Sequence, residues 1–378
     1  MNEKATFDQY GLSPGIQQAI RAMGFEQATP IQAKAIKPFL AGRDLIVQAP
    51  TGTGKTCAFG IPVSEFVDTY NKNAQVLILS PTRELAIQTS GVIKSLTKYK
   101  ENVRLATLYG GENIQKQLAA LRRNPQIIIA TPGRLLDHIQ RRTAKLDGIQ
   151  TVVLDEADRM LDMGFKQDLN RILKAVPQQR QTVLFSATLP KEIMAIARSY
   201  QYDAQHIAVK EDTLTVKTVE QFYTTVANGA KKHALLSLLE RNSDTLSLVF
   251  VNMKHRADKL CKDLKRQGIR AEALHGDVKQ QKRERIMAAF RAGEIDVLVA
   301  TDVAARGIDV RNIDIVINYD LPNDSDCYVH RIGRTGRANR CGTAYTFICQ
   351  DEIKMLGTIM RETKAVITPA EPALTAAC

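Results

Sequence analysis

Short runs of consecutive apolar residues recur along the chain, and longer segments between them carry apolar residues three or four positions apart. Because the runs are continuous rather than alternating, they predict strands buried on both faces, as in a mostly parallel sheet wrapped by helices. In the first part of the chain the runs are 45–47, 75–79, 103–107, 126–130, 151–155 and 181–185. This pattern predicts an α/β domain with crossover connections.

The pattern lapses in a polar, Thr-rich stretch, where we place a linker at 210–218. It then resumes with further apolar runs and helical segments, at 220–226, 230–241, 247–251, 254–267, 270–274, 279–292, 295–300, 313–319 and 342–348. We therefore expect an N-terminal domain at 1–209 and a second α/β domain at 219–365. The Pro- and Ala-rich tail, 366–378, is expected to fray.

One stretch, VQAPTGTGKT at 47–56, has the features of a phosphate-binding loop, with Ala49 in place of the first Gly of the usual pattern. A strand precedes it and a helix-forming run follows, which we expect Pro62 to break. Backbone N–H groups bared by glycines at a helix start bind phosphate oxygens. Lys55 would supply a cation and Thr56 a ligand for Mg²⁺.

The segment before this loop has the signals of a helix. Thr29 is a suitable N-cap, Pro30 suits the first helical position, and Gly42 lies past the end. This helix would carry Gln32 to the mouth of the loop.

Acidic residues follow the apolar run 151–154 directly. In a parallel sheet that also holds a phosphate loop, an acidic residue at the carboxyl end of a strand is placed to bind Mg²⁺. We assign Asp155 to the metal, partly through water, and Glu156 to the water that attacks the γ-phosphate. A solvated acidic loop is the alternative for such a pair taken alone.

A second basic stretch, YVHRIGRTGRA at 328–338, places Arg331, Arg334 and Arg337 three residues apart. Guanidinium groups hold phosphate oxygens and offset the charge that develops in phosphoryl transfer. A basic surface loop is the alternative.

Composition indicates a polyanionic partner in addition to the nucleotide. Lys and Arg exceed Asp and Glu by 12, and the isoelectric point is about 9.4, which favours nucleic acid over a merely solvated basic surface. The six cysteines form no C-x-x-C pair, so neither a zinc site nor a disulfide framework is indicated. No apolar signal segment opens the chain, and no run approaches the length of a membrane helix. We expect a cytoplasmic protein that is not inserted in a membrane.

Taken in order, the motifs resemble those of the DEAD-box ATP-dependent RNA helicases of helicase superfamily 2, over nearly the whole chain. They are Phe7 with GFEQATPIQ (24–32), APTGTGKT (49–56), PTRELA (81–86), Gly110-Gly111, TPGR (131–134), DEAD (155–158), SAT (186–188), LVFVNM (248–253), Gln280 and Arg283, ATDVAARGID (300–309) and HRIGRTGR (330–337). Two departures stand out: Ala28 where Pro is common, and Asn252-Met253 where Thr is more usual. The resemblance implies two tandem RecA-like domains.

The resemblance also implies roles for single residues. Gln32 would read adenine, and Phe7 would stack on the base, with Phe25 in the same site. The phosphates and Mg²⁺ would be held by Thr51, Gly52, Thr53, Gly54, Lys55, Thr56 and Asp155. Glu156 would be the catalytic base, Arg334 and Arg337 the arginine fingers, His330 an aid to the attacking water and Asp309 a ribose contact.

RNA would be held through its sugar–phosphate backbone, which implies little sequence preference and a steep salt dependence. The implied contacts are Arg83, Gly111, Thr131, Arg134, Arg283 and Thr301. Asp158, Ser186 and Thr188 would couple the nucleotide state to RNA.

We therefore expect a monomeric, bacterial-type enzyme that hydrolyses ATP when RNA binds and its two domains close, with local, non-processive unwinding of short duplexes. An ATP-gated RNA clamp that uses the same residues is the alternative. A DNA translocase is disfavoured by Gln32 and Asp158, and a metabolic kinase by the arginine array.

Overall fold

A computed structural model of the protein describes residues 5–50, 53–209, 219–227, 229–305, 313–336 and 341–370. The chain divides into two compact units, 1–211 and 212–378. The predicted linker, 210–218, lies outside the described residues. No helix in the described part of the chain is long and apolar enough to cross a membrane.

The first unit alternates strands with helices. Its strands are β1 (Leu45–Gln48), β2 (Val76–Leu79), β3 (Leu105–Leu108), β4 (Ile127–Ala130), β5 (Thr151–Leu154), β6 (Gln181–Ser186) and β7 (Gln205–Ala208). After a 3₁₀ turn at Phe7–Tyr10, its helices are α1 (Pro14–Ala22), α2 (Pro30–Leu40), α3 (Lys55–Phe66), α4 (Arg83–Leu96), α5 (Ile114–Leu121), α6 (Pro132–Gln140), α7 (Ala157–Asp162), α8 (Lys166–Ala175) and α9 (Lys191–Tyr200).

The second unit repeats this alternation over its described residues. Its strands are β8 (Val219–Thr225), β9 (Ser247–Phe250), β10 (Ala271–Leu274), β11 (Val297–Ala300), β12 (Ile315–Asn318), β13 (Gly342–Ile348) and β14 (Thr368–Pro369). Its helices are α10 (Lys231–Arg241), α11 (Lys254–Arg266), α12 (Gln280–Arg291), α13 (Asp302–Ala305), α14 (Ser325–Ile332) and α15 (Ile353–Thr363), with a 3₁₀ turn at Gln350–Glu352.

Within the described residues each unit forms one seven-stranded sheet whose strand pairs are all parallel. The orders are β3-β4-β2-β5-β6-β1-β7 and β10-β11-β9-β12-β13-β8-β14, so the two units share one topology. The prediction of two α/β domains built on parallel sheets is confirmed.

The continuous apolar strands explain this arrangement. In β2, Leu77 and Leu79 pack into one hydrophobic cluster, whereas Val76 and Ile78 pack into another. The second sheet divides its residues in the same way: Leu248 of β9 lies in one cluster and Val249 in another. Because neighbouring residues of a strand point to opposite faces, each sheet is covered by helices on both sides.

The parallel order also gathers the candidate site. The stretches that follow β1, β2, β3, β4, β5 and β6 all begin at the carboxyl edge of the first sheet. Those stretches contain the sequence motifs at 49–56, 81–86, 110–111, 131–134, 155–158 and 186–188.

Two local expectations were wrong. Helix α3 is not broken at Pro62 but continues to Phe66. A proline inside a helix costs about 3 kcal/mol, and the burial of Phe59 and Val63 on the same helix offsets this cost. The start of the predicted tail does not fray, because Thr368–Pro369 pair with β8, and Ile367 and Ala370 are buried, whereas residues 371–378 lie outside the described residues.

The spacing of Arg331 suggested a phosphate-binding residue, but the structure gives its side chain a different role. Its side chain is 1% exposed and pairs with Asp302 through both carboxylate oxygens, at 2.6 and 2.7 Å. It also donates to the Asn252 side chain at 2.7 Å and to the Asp320 carbonyl at 2.6 Å. Arg331 is therefore a structural residue that ties together the loops after β9, β11 and β12.

We expect Arg331→Lys to lower the free energy of unfolding of the second unit by about 3 kcal/mol, because an ammonium group cannot replace a buried, two-pronged guanidinium. Urea denaturation followed by circular dichroism measures this change. Arg285→Lys, at an exposed position in the same unit, is the matched control. Equal midpoints for the two variants would contradict the structural role.

Candidate functional site

The loop between β1 and α3 holds its side chains close to its own backbone. Gly54 caps α3 with φ +91°, a conformation that favours glycine. The Lys55 ammonium donates to the Ala49 carbonyl at 2.8 Å, and the Thr53 hydroxyl donates to the Pro50 carbonyl at 2.9 Å. Thr51 and Gly52 lie outside the described residues.

Gln32 reaches this loop as the sequence predicted. Its side-chain oxygen accepts from the Thr29 amide at 3.0 Å, and the Thr29 hydroxyl caps α2 in return. The Gln32 amide nitrogen then donates to the Gly54 carbonyl at 3.2 Å. The same side chain therefore fixes the start of α2 and contacts the loop.

A cavity of about 390 Å³ lies beside the predicted aromatic residues. Phe7 is buried and Phe25 is 37% exposed, and both line it. Sequence reasoning missed Gln17 and Arg21, which also line it. Neither Gln32 nor a described residue of the 47–56 loop belongs to the lining.

The charges of three carboxylates act on the Lys55 ammonium. Burial lowers the pKa of Lys55, although the charges of Glu156, Asp155 and Asp158 oppose that shift. Burial also raises the pKa of Asp155, and the adjacent Glu156 charge raises it further, whereas Lys55 opposes both. These residues therefore form a cluster of one cation and three carboxylates that is largely removed from water.

Glu156 adopts a left-handed backbone conformation, φ 52° and ψ 53°, which is uncommon for a residue other than glycine. Its carboxylate accepts from the Arg159 guanidinium at 2.7 Å, and both side chains are buried. Sequence reasoning missed Arg159, because the run DEADR does not show whether this arginine contacts Glu156 or is an ordinary charged residue on the surface of a helix.

Asp158 connects the acidic stretch to the end of β6. One of its carboxylate oxygens accepts from the Thr188 hydroxyl at 3.0 Å and from the Ala187 and Thr188 amides. The Ser186 hydroxyl accepts from the Asp158 amide at 3.2 Å. Burial alone would raise the pKa of Asp158, but the Thr188 hydrogen bonds and the Lys55 charge outweigh it and hold that pKa below its ordinary value.

The predicted RNA contacts of the first unit lie along the same edge of the sheet. The Arg83 guanidinium lies 4.4 Å from the centre of the Tyr109 ring. Gly111 has φ +83°, and Thr131 donates its amide to the Leu108 carbonyl at 2.9 Å. Arg134 donates to the Gln117 side chain at 3.3 Å.

In the second unit the predicted residues that the structure describes follow three strands, β10, β11 and β12. Arg283 donates to the Ala304 carbonyl at 2.6 Å, and Thr301 donates its amide to the Leu274 carbonyl at 3.2 Å. Arg334 is buried just past the end of α14, and His330 lies in the last turn of that helix. Arg337 and Asp309 lie outside the described residues.

Oxygen ligands for Mg²⁺ are present, although no group of three or more His, Cys, Asp or Glu side chains in the described ranges could cage a metal ion. Mg²⁺ is commonly held by one or two carboxylates together with substrate phosphates and water. The Thr56 hydroxyl and the Asp155 carboxylate are hard oxygen donors of that kind.

The fold and this site define a P-loop protein built from two α/β units. Residues 29–196 match the family model described as DEAD/DEAH box helicase, and residues 230–339 match the helicase conserved C-terminal domain. A protein named ATP-dependent RNA helicase CshA from Limosilactobacillus reuteri is 47% identical over 97% of this chain and 73% of its own length. A DEAD-box ATP-dependent RNA helicase CshA from Bacillus cereus is 48% identical over 95% of this chain and 68% of its own length. The chain belongs to the DEAD/DEAH box helicase family.

Two solved structures are similar to nearly all of this chain. Saccharomyces cerevisiae Dbp5 bound to RNA and ADP BeF3 has a TM-score of 0.87 at 33% identity, covering 97% of this chain and 95% of that one. Mss116p bound to ssRNA and AMP-PNP has a TM-score of 0.85 at 29% identity, covering 98% and 80%. These structures, together with the identical strand order of the two sheets, confirm the expected pair of RecA-like domains.

We expect Gly54→Ala to weaken nucleotide binding by about tenfold, because the left-handed conformation costs a non-glycine residue about 1–2 kcal/mol. The new methyl group would also lie 2.5 Å from the Gln32 amide nitrogen and displace it. Titration with a fluorescent ATP analogue measures the affinity.

Gly91→Ala is the matched control, since a methyl group there meets nothing within 4 Å. Its affinity should equal that of the unmodified protein. Unchanged affinity in Gly54→Ala would show that Gln32 and Gly54 do not form the nucleotide site.

Proposed function

We propose that this protein is an RNA-dependent ATPase that separates short RNA duplexes locally and without processive movement. The proposal rests on the buried cluster of Lys55, Asp155, Glu156 and Asp158. Within it, Asp158 is also hydrogen-bonded to Ser186 and Thr188. Membership of the DEAD/DEAH box helicase family supports it, as do relatives named as ATP-dependent RNA helicases.

ATP would bind to the first unit. The phosphates would lie at the start of α3 beside Lys55. Gln32, which contacts Gly54 of that loop, would read the edge of the base, and Phe7 would stack on it, with Phe25 in the same site. When bound, Mg²⁺ would offset the charge of the phosphates. Thr56 and Asp155 would hold it, partly through water.

Hydrolysis needs a base for the attacking water and a positive charge that offsets the negative charge developing on the phosphate. One oxygen of Glu156 accepts from Arg159, and the other oxygen would orient the attacking water. Arg334 and Arg337 would act on the γ-phosphate, with His330 near the water and Asp309 at the ribose. Because these residues belong to the second unit, turnover would require both units and would be stimulated by RNA.

RNA would be bound through its backbone by Arg83, Gly111, Thr131 and Arg134, and by Arg283 and Thr301 in the second unit. The excess of 12 positive charges supports a polyanionic ligand. Such contacts give little sequence preference, and affinity should fall steeply with salt. Action as a monomer in the cytoplasm is part of the same proposal.

We expect Glu156→Gln to bind ATP and RNA with unchanged affinity but to lower ATP turnover by about a thousandfold, because the amide keeps the shape of the carboxylate and cannot take a proton. Phosphate release at saturating ATP and RNA measures turnover. Glu192→Gln, an exposed change in the first turn of α9, is the control and should not alter the rate. Turnover that survives in Glu156→Gln would rule out Glu156 as the base.

Strand displacement distinguishes the helicase from an ATP-gated RNA clamp, which would use the same residues. A short labelled RNA duplex is mixed with the protein and ATP, and release of the labelled strand is followed with time. We expect release with ATP and none with Glu156→Gln under multiple-turnover conditions. ATP-dependent retention of RNA without strand release would favour the clamp.

A further inference from the structure

A buried amide, Gln117, lies behind the predicted RNA contacts of the first unit. It is the single residue of α5 that the structure buries, at 1% exposure. Its nitrogen donates to the Tyr109 carbonyl at 2.9 Å and to the Glu112 carboxylate at 3.4 Å. Its oxygen accepts from Arg134 at 3.3 Å and meets the His138 ring at 3.1 Å. All four hydrogen-bonding positions of the amide are therefore used.

The network also includes His138. Because the Gln117 nitrogen donates to a carbonyl, the oxygen must be the atom that faces His138, so His138 donates its Nε2–H. The other ring nitrogen lies 2.8 Å from the Thr143 hydroxyl, which also donates to the His138 carbonyl at 3.1 Å. Burial lowers the pKa of His138, and the nearby Arg134 charge lowers it further, which favours the neutral ring.

The partners of Gln117 belong to separate sequence motifs. Tyr109 directly precedes Gly110-Gly111, and Glu112 directly follows them, whereas Arg134 ends the TPGR motif. The Tyr109 ring in turn lies beneath the guanidinium of Arg83, from the PTRELA motif. One buried amide thus links three stretches that are expected to touch RNA phosphates.

A buried amide with every hydrogen bond satisfied holds its partners in one arrangement, since any rotation leaves polar groups unpaired out of water. Arg134 has many side-chain conformations, and its bond to Gln117 restricts them before a ligand arrives, together with contacts to the Glu112 carbonyl at 3.5 Å and to Asp137 at 4.0 Å. Holding a cation in place beforehand raises affinity because less conformational entropy is lost on binding.

We propose that Gln117 is a positioning residue for RNA binding: it fixes the Arg134 guanidinium and the Gly110-Gly111 backbone in the geometry that receives consecutive phosphates. The proposal rests on the proposed function, because it assumes that this edge of the sheet binds RNA. Gln117 itself does not touch the ligand.

The test replaces Gln117 by Met, which has a similar length but cannot hydrogen-bond in the same way. RNA affinity is measured by fluorescence anisotropy of a labelled single strand in the presence of a non-hydrolysable ATP analogue. We expect Gln117→Met to weaken RNA binding about tenfold, the size of one lost hydrogen bond to a charged group. The RNA concentration for half-maximal ATP turnover should rise in parallel, while the plateau rate falls less than about twofold.

Gln115→Met is the matched control, because Gln115 lies on the same helix with its side chain exposed. Its RNA affinity should equal that of the unmodified protein. Combining Gln117→Met with Arg134→Ala tests the route: if Gln117 acts through Arg134, the double variant should bind RNA about as weakly as Arg134→Ala alone.

The outcomes separate the hypotheses. Equal RNA affinity for Gln117→Met and Gln115→Met would overturn the proposal, and so would fully multiplicative losses in the double variant. If Gln117→Met does not fold, Gln117→Glu takes its place: at least threefold weaker RNA binding supports the proposal, and wild-type affinity overturns it. Absence of RNA binding by the unmodified protein would instead defeat the proposed function.

Discussion

The burial of the Lys55 ammonium beside three carboxylates is the interaction on which the candidate site depends. A cation and several carboxylates taken out of water are costly unless each charge is compensated. Here Lys55 is held by the Ala49 carbonyl, Glu156 by Arg159 and Asp158 by the end of β6. Asp155 is left with a raised pKa, chiefly because it is buried and also because the Glu156 charge is adjacent, and the Lys55 charge offsets only part of this. Triphosphate and Mg²⁺ would change every one of these balances at once.

Asp158 links this cluster of charges to the residues at the end of β6. Its carboxylate accepts from the Thr188 hydroxyl and from two backbone amides after β6, and the Lys55 charge acts on the same carboxylate. The first unit uses Gln117 in a similar way, with one buried polar side chain fixing several loops. In the second unit Arg331 does the same for the loops after β9, β11 and β12. In each case a satisfied buried group holds loops that parallel topology has brought to one edge.

The sequence predicted the architecture well because strand burial on both faces leaves a readable signal, as in VLIL of β2 and IIIA of β4. It also predicted the contact between Gln32 and the 47–56 loop, since capping signals located the start of α2. It failed where spacing does not reveal direction: Arg331 shares its period with Arg334 but points into the core. Gln117 and Arg159 were missed because their partners lie in other motifs, and only the fold brings them together. Pro62 was misread because packing outweighed a local propensity.

The most direct test of the account is the rate of phosphate release by the unmodified protein at saturating ATP, measured without nucleic acid, with single-stranded RNA and with DNA of the same sequence. The account predicts a low rate alone, a rate that rises with RNA to a plateau, and little rise with DNA. It also predicts that the RNA concentration for half-maximal rate increases steeply with salt. A rate that is the same in all three conditions, or that DNA raises as much as RNA, would contradict it.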